Sequence, residues 1–212
     1  GFSLTNAGEE LKLTDATDKL LDKVTYSDTW YRDNTKKSGG WTLERINPFT
    51  GCNYSNNWIA SSDLSGGTPG KKNSEFDASP DSTSPGISDV FVYSSTGIEV
   101  VFNEAMEPAS LLFGTYSISD NINVSGVSIS DSVNFTSVIL TLGSQLENKK
   151  FYTIIVNNVR DCPGNLIVST VPMQFIKPEQ GGAGDLNINE VLFNPRPYGF
   201  DFVEIYNRSD KY

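Results

Sequence analysis

The sequence contains no histidine. That removes the commonest general base, the Ser-His pairings of nucleophilic catalysis and the commonest metal ligand together. Cysteine occurs only at Cys52 and Cys162, too few to build a zinc site. No S-x-x-K motif offers an alternative serine nucleophile. Apolar runs approaching the ~20 residues of a membrane helix are missing, so no membrane insertion is expected. A signal peptide is also missing; the chain reads as an excerpt, with Gly1 read as a tag scar. Basic patches are lacking too. The pairs Lys36–Lys37 and Lys71–Lys72 stand alone in polar loops, and the formal net charge over 212 residues is -10. Such a chain repels phosphate backbones, which argues against nucleic acid as a partner.

What is present is β chemistry. Hydrophobic residues make up 37% and aromatics 11%, lean but sufficient for small cores closed by aromatic and β-branched side chains. In "EELKLTD" Leu11 and Leu13 share one face, and "KLLDKVTY" continues through Leu21, Val24 and Tyr26. The polar "DATDK" between them reads as a hairpin turn. "GGWTLERI" predicts a third strand with Trp41, Leu43 and Ile46 in its core, after which the chain turns irregular. The first unit so defined is 1–74, its pattern opening at Phe2. Residues 75–86 read as a linker, because "EFDASPDSTSPG" is polar and its two Ser-Pro steps favour extended backbone.

Residues 87–178 hold many short strands with turn signals between them, among them "GIEVVFN", "SVILTLG", "FYTIIVNNV" (read as the longest) and the closing "PMQFIKP". A unit of ~90 residues with that pattern predicts an Ig-like sandwich. In "EPASLLF" Pro108 suits the first position of a helical turn. A glycine-rich linker, 179–185, follows. Residues 186–212 alternate again: Ile188, Val191 and Phe193 mark one strand, and Phe202, Val203 and Ile205 another. Two strands alone are marginal, so this tail is expected to pack on something.

Two resemblances carry further. "INEVLFNP" followed by "DFVEIYNRS" resembles the opening of a lamin tail domain, an Ig-like sandwich. "FSLTNAGEELKLTDATDKLLDKVTY", "GGWTLERINP", "NNW" and "GGTPGKKNS" resemble the closing half of the same domain. Between them, "IEVVFNEAMEPAS" and "YTIIVNNVRDCPGN" resemble a bacterial Ig-like domain of the S-layer and adhesion type. The expected fold is therefore all-β: an Ig-like sandwich plus a second, permuted and incomplete lamin-tail-like sandwich. In that second unit residues 186–212 pack on 1–74, within the chain or with a neighbouring copy, a strand-complemented self-association. The implied parent is an array of alternating modules.

Candidate sites are sparse. Glu190, Asp201 and Glu204 offer the clustered oxygens a calcium ion takes. The competing reading pairs the glutamates with backbone amides or with Arg45. Calcium is the one cofactor these residues suggest. Glu104 and Glu107 are the closest carboxylate pair of the central unit, but no flanking aromatics build a sugar subsite beside them, and no catalytic residue is assigned. Asp161 and Asn165 are expected to cap the Pro163–Gly164 turn. Among the aromatics, Trp30, Tyr31 and Trp58 are candidates for facing a glycan or protein ligand; the alternative makes Trp41 and Trp58 core residues. Cys52 and Cys162 either pair, stapling the first unit to the second, or remain thiols.

These observations lead to the expectation of a non-catalytic structural or adhesive module of an exported bacterial surface protein, secreted or at the cell surface. Its partners are neighbouring modules of the same protein. The alternative is an accessory binding module of a larger secreted hydrolase, such as a nuclease or phosphatase.

Overall fold

The computed structural model describes residues 3–168 and 172–212; Gly1 and the expected opening at Phe2 lie outside them. The first unit opens with an antiparallel hairpin, β1 (Gly8–Thr14) and β2 (Leu20–Ser27). Its turn forms because the Asp15 carboxylate accepts from the backbone N–H of Thr17 and Lys19, at 2.8 and 3.1 Å. Asp18 takes φ 62° there, a conformation aspartate tolerates better than most residues. Leu11 lies opposite Val24, and Glu9 opposite Tyr26, so Leu11, Val24 and Tyr26 share one face of the hairpin with Glu9, while Leu21, expected to continue that set, falls at the register shift and is exposed.

A short helix, α1 (Asn34–Lys37), follows, capped by Asp33. A second two-stranded sheet joins β3 (Leu43–Arg45) to β4 (Trp58–Ala60). The strand expected across "GGWTLERI" is thus only three residues long. Gly39 and Gly40 take φ 122° and 81°, which ends extended pairing before it. The buried Glu44 ties this sheet to the loop behind it. It accepts from the Thr68 hydroxyl and from the Ser74 backbone N–H and hydroxyl, the latter two at 2.7 and 2.8 Å.

Residues 75–86 form no helix or strand, yet both ends are tied down. The Asp77 N–H donates to Ile46 O at 3.1 Å, and Asn165 Nδ2 donates to Asp81 O at 3.2 Å.

The central unit is a two-sheet sandwich. Its strands are β5 (Ile87–Ser94), β6 (Gly97–Phe102), β7 (Thr115–Ile118), β8 (Val124–Ile129), β9 (Ser137–Leu142), β10 (Phe151–Asn157) and β11 (Met173–Ile176). One sheet has the order β5-β6-β9-β8 and the other β11-β10-β7. Alternation places Ile98, Val100 and Phe102 of β6, Val138, Leu140 and Leu142 of β9, and Tyr152, Ile154 and Val156 of β10 in one buried cluster. Helix α2 (Pro108–Phe113) begins at Pro108. The Glu107 carboxylate accepts from Ala109 N and Ser110 N at its first turn, at 3.1 and 2.6 Å. Strand β10 has seven residues, one fewer than β2 and β5. The main hydrophobic cluster lies entirely in this sandwich; among the described residues of the first unit the buried apolar side chains are Trp30, Cys52 and Ala60, matched by the buried polar Glu44, Asn57 and Ser61.

The chain then forms a last hairpin, β12 (Leu186–Leu192) and β13 (Phe202–Asn207), every residue of which is exposed. It is moored by Lys149–Asp210 at 2.7 Å, by the Glu179 N–H donating to Tyr212 O at 2.7 Å, and by Phe151 edge-on to Tyr212. Among the described residues, no hydrogen bond, ion pair or aromatic contact joins it to residues 3–74.

Strand β10 explains why. Phe151 at its start meets the final hairpin, whereas Asp161 and Cys162 beyond its end lie beside Met106 and Ala105, and Met106 N donates to Phe135 O, where the first unit attaches. Seven strand residues at ~3.3 Å each separate the two ends by ~20 Å.

Candidate functional site

The attachment of the first unit is a built junction. Asn57 organises it from within. Its buried amide Nδ2 donates to Asn47 O and Cys52 O, each at 2.8 Å, and its Oδ1 accepts from Asn47 N at 2.7 Å. This fixes the irregular loop 47–57 and with it Cys52, which is bonded to Cys162 of the sandwich with Cα atoms 5.6 Å apart. Two further contacts flank the bond. Trp30, 1% exposed, donates from Nε1 to Asn134 Oδ1 at 2.8 Å. The Tyr54 ring packs against Phe135 with centroids 4.7 Å apart. Burial, with Glu107 adding to it, pushes the Tyr54 hydroxyl pKa up.

Trp30 is therefore not a ligand-facing residue, contrary to the sequence expectation. It sits in a turn closed by the Ser27 hydroxyl, which accepts from Thr29 N at 3.3 Å, and that turn aims the indole at the sandwich. Tyr31 and Trp58 are half-buried, as is Trp41. All three line a groove of about 460 Å³ whose other wall is Leu11, Val24 and Tyr26 of the hairpin. The Tyr31 hydroxyl donates to Trp41 O at 2.8 Å, and the Arg45 guanidinium lies 5.1 Å from the centre of the Trp58 ring. The groove is the open space between the inner faces of two short sheets, which is why neither Trp41 nor Trp58 is fully covered.

The acidic residues converge elsewhere than expected. Among the described residues, the carboxylates whose oxygens lie within 4.8 Å of one another are Asp81, Glu104 and Asp161, not Glu190, Asp201 and Glu204. In the final hairpin Glu190 and Glu204 stand opposite each other on an exposed face, with Asn189 donating to Glu204; Asp201 precedes β13. Arg45 pairs with Asp22, at 2.9 Å, rather than with either glutamate. In the junction trio, Asp161 is buried and already committed. Its Oδ1 accepts from Gly164 N and Asn165 N at 2.7 Å each, and its Oδ2 from Asn165 Nδ2 at 2.8 Å. That closes the Pro163–Gly164 turn and positions Cys162. Glu104 carries the strain of the trio. Burial first, then the charges of Asp161 and Asp81, push its carboxyl up to about 7. The three supply the hard oxygen donors a divalent cation takes, but Asp161 fills its oxygens with turn amides.

The Glu104–Glu107 pair is also dissolved by the fold. Glu107 is spent on the α2 cap, while Glu104 belongs with Asp81 and Asp161. The Glu107 cap and the Asp161 turn are local in sequence, but the contacts that bring the segments together are not. The trio comes from three separate segments, and the Trp30–Asn134 bond spans 104 residues.

No curated protein matches the sequence. Solved structures that do match include the S-layer protein rSbsC(31-844), 18% identical with a TM-score of 0.41 over 51% of this chain and 15% of that one. The surface layer protein SbsC, domains 1-6, is likewise 18% identical, with TM-score 0.41 over 51% of this chain and 16% of that one. The N-terminal part of the bacterial S-layer protein SbsC is 20% identical, with TM-score 0.40 over 51% of this chain and 26% of that one. The match thus takes in about a quarter or less of each of those structures. Within the chain, residues 79–175, most of the sandwich, match the family model described as a bacterial Ig-like domain.

Proposed function

We propose that this chain is a non-catalytic spacing module of an exported bacterial surface protein, holding its neighbours at a fixed angle and separation. The observation that carries this is the junction. A covalent bond, a buried indole hydrogen bond and an aromatic contact fasten the first unit to one end of the sandwich, while the final hairpin leaves from the other. Ties of this kind restrict relative motion, whereas a flexible linker would permit it. The disulfide fits an oxidising, extracellular setting. The Ig-like family match fits a structural role, and a sequence without histidine gives little to catalysis. The lamin-tail resemblance of 1–74 and 186–212 suits the same picture, with each segment supplying part of a sandwich.

Small-angle X-ray scattering of the full chain, dilute and oxidised, tests the proposal. A single elongated, rigid particle is expected, with flexibility rising when Cys52–Cys162 is reduced. A profile that is already flexible when oxidised, or unchanged on reduction, would count against a locked spacer.

A second reading, an accessory binding module of a secreted hydrolase, is favoured by the half-buried Tyr31, Trp41 and Trp58. It requires a ligand to bind that aromatic surface.

A further inference from the structure

We infer that the final hairpin of one copy docks into the aromatic groove of a second copy, so that the chain associates head to tail. This deepens the spacing reading and rests on it, by naming the partner. Cross-strand register puts Ile188 opposite Ile205 and Val191 opposite Val203. With Leu186 they form one continuous aliphatic face. The five are 54–70% exposed. A two-stranded hairpin with such a face is not self-sufficient in water.

The groove offers the complement. Leu11, Val24 and Tyr26 on one wall face Tyr31, Trp41 and Trp58 on the other, an open core between sheets that a third apolar layer would close. The two surfaces sit at opposite ends of the sandwich, ~20 Å apart along β10 alone. A chain so built does not fold its hairpin back into its own groove, and a second copy supplies the missing side.

Area and charge both permit it. At roughly 100 Å² per aliphatic side chain the hairpin face offers about 500 Å². With an equal contribution from the groove the interface reaches about 1,000 Å², the lower bound of specific association. Residues 1–74 carry nine basic and nine acidic side chains, while 179–212 carry three basic and six acidic, so the acidic hairpin meets a neutral unit and is not repelled. The interface is heterologous, which does not close on itself and propagates into open chains.

Sedimentation velocity of the full oxidised chain over a wide concentration range is the test. The wild type is expected to grow in mass past a dimer. Ile205→Asp (hairpin) and Leu11→Asp (groove) are each expected to weaken association by more than about tenfold. An equimolar mixture of the two variants restores a complex that stops at two chains, since one intact hairpin meets one intact groove. Leu4→Asp, at an exposed groove position, repeats the groove test should Leu11→Asp unfold the first unit. Three outcomes overturn the inference: a wild type that stays monomeric throughout, association that survives both groove variants and so is hairpin to hairpin, or a monomer whose groove instead binds N-acetylglucosamine oligomers by tryptophan fluorescence. Because scattering on the dilute monomer tests the locked junction separately, a failure here leaves that result standing.

Discussion

Trp30 and Asn134, 104 residues apart in sequence, are joined by a 2.8 Å hydrogen bond at a site from which the indole is almost wholly excluded from water. The bond sets the first unit on the sandwich beside a covalent link. Removing its acceptor leaves a buried N–H without a partner. Asn134→Ala is therefore expected to cost about 1–3 kcal/mol, and Trp30→Ala about 3–5 kcal/mol because packing is lost as well. Denaturant melts of the two variants measure both; an Asn134→Ala variant indistinguishable from wild type would mean the indole bond is not part of the junction.

Loss of the Cys52–Cys162 bond acts on the unfolded chain as well as the junction. The bond closes a loop of 110 residues, and bridges of that span contribute roughly 2–5 kcal/mol. Cys52→Ser with Cys162→Ser should lower the melting temperature measurably, and reduction of the wild type should reproduce the shift.

Glu104 makes stability fall with rising pH. Its folded pKa, about 7, lies above the ordinary 4.5. Below pH 4.5 the carboxyl is protonated folded or unfolded and costs nothing. Between 4.5 and 7 the unfolded chain releases the proton more readily, and above 7 the full penalty applies. Glu104→Gln is thus expected to stabilise the protein at pH 8 by about 1 kcal/mol, a figure discounted for the partial exposure of the group, and to leave it unchanged at pH 4. Equal effects at both pH values would show that the Glu104 carboxyl is not held above its ordinary range.

Glu44 has the opposite sign. Burial pushes its carboxyl up, but hydrogen bonds from Thr68, Ser74 and Ser61 outweigh that and hold it below the usual range. The stabilisation is present above about pH 4.5 and is lost as pH falls through the lowered value. Glu44→Gln turns an acceptor of the Ser74 N–H into a side chain that is half donor. The expected cost is about 1–3 kcal/mol at pH 7, shrinking on acidification. Urea melts at pH 7 and pH 3 separate this from a packing defect, which would cost the same at both.

What could be read from the sequence was local. The alternation around Leu11 and Val24, the polar "DATDK" turn and the inward triplet Tyr152, Ile154 and Val156 follow from strand period and turn chemistry. Pro108 opened its helix for an equally local reason. Tertiary approach was hidden. The strand pattern points Trp41 to a core and leaves Trp30 as a residue that could face a ligand, and only the docking of the first unit on Asn134 makes Trp30 the buried one. The acidic cluster has no sequence signal, because Asp81, Glu104 and Asp161 share no spacing. In the visible run Glu190, Asp201 and Glu204, strand pairing sets Glu190 opposite Glu204 on an exposed hairpin.

The most direct test of the locked junction uses the placement of the three tryptophans, Trp30, Trp41 and Trp58, all in the first unit and none in the sandwich. Thermal unfolding of the oxidised protein should be followed by tryptophan fluorescence and by far-ultraviolet circular dichroism together. Coincident transitions are expected when the disulfide is intact, with the fluorescence transition moving to lower temperature ahead of the other once Cys52 and Cys162 are replaced by serine. A fluorescence transition that already stands apart in the oxidised protein would mean the two units unfold independently, and the locked junction would have to be given up.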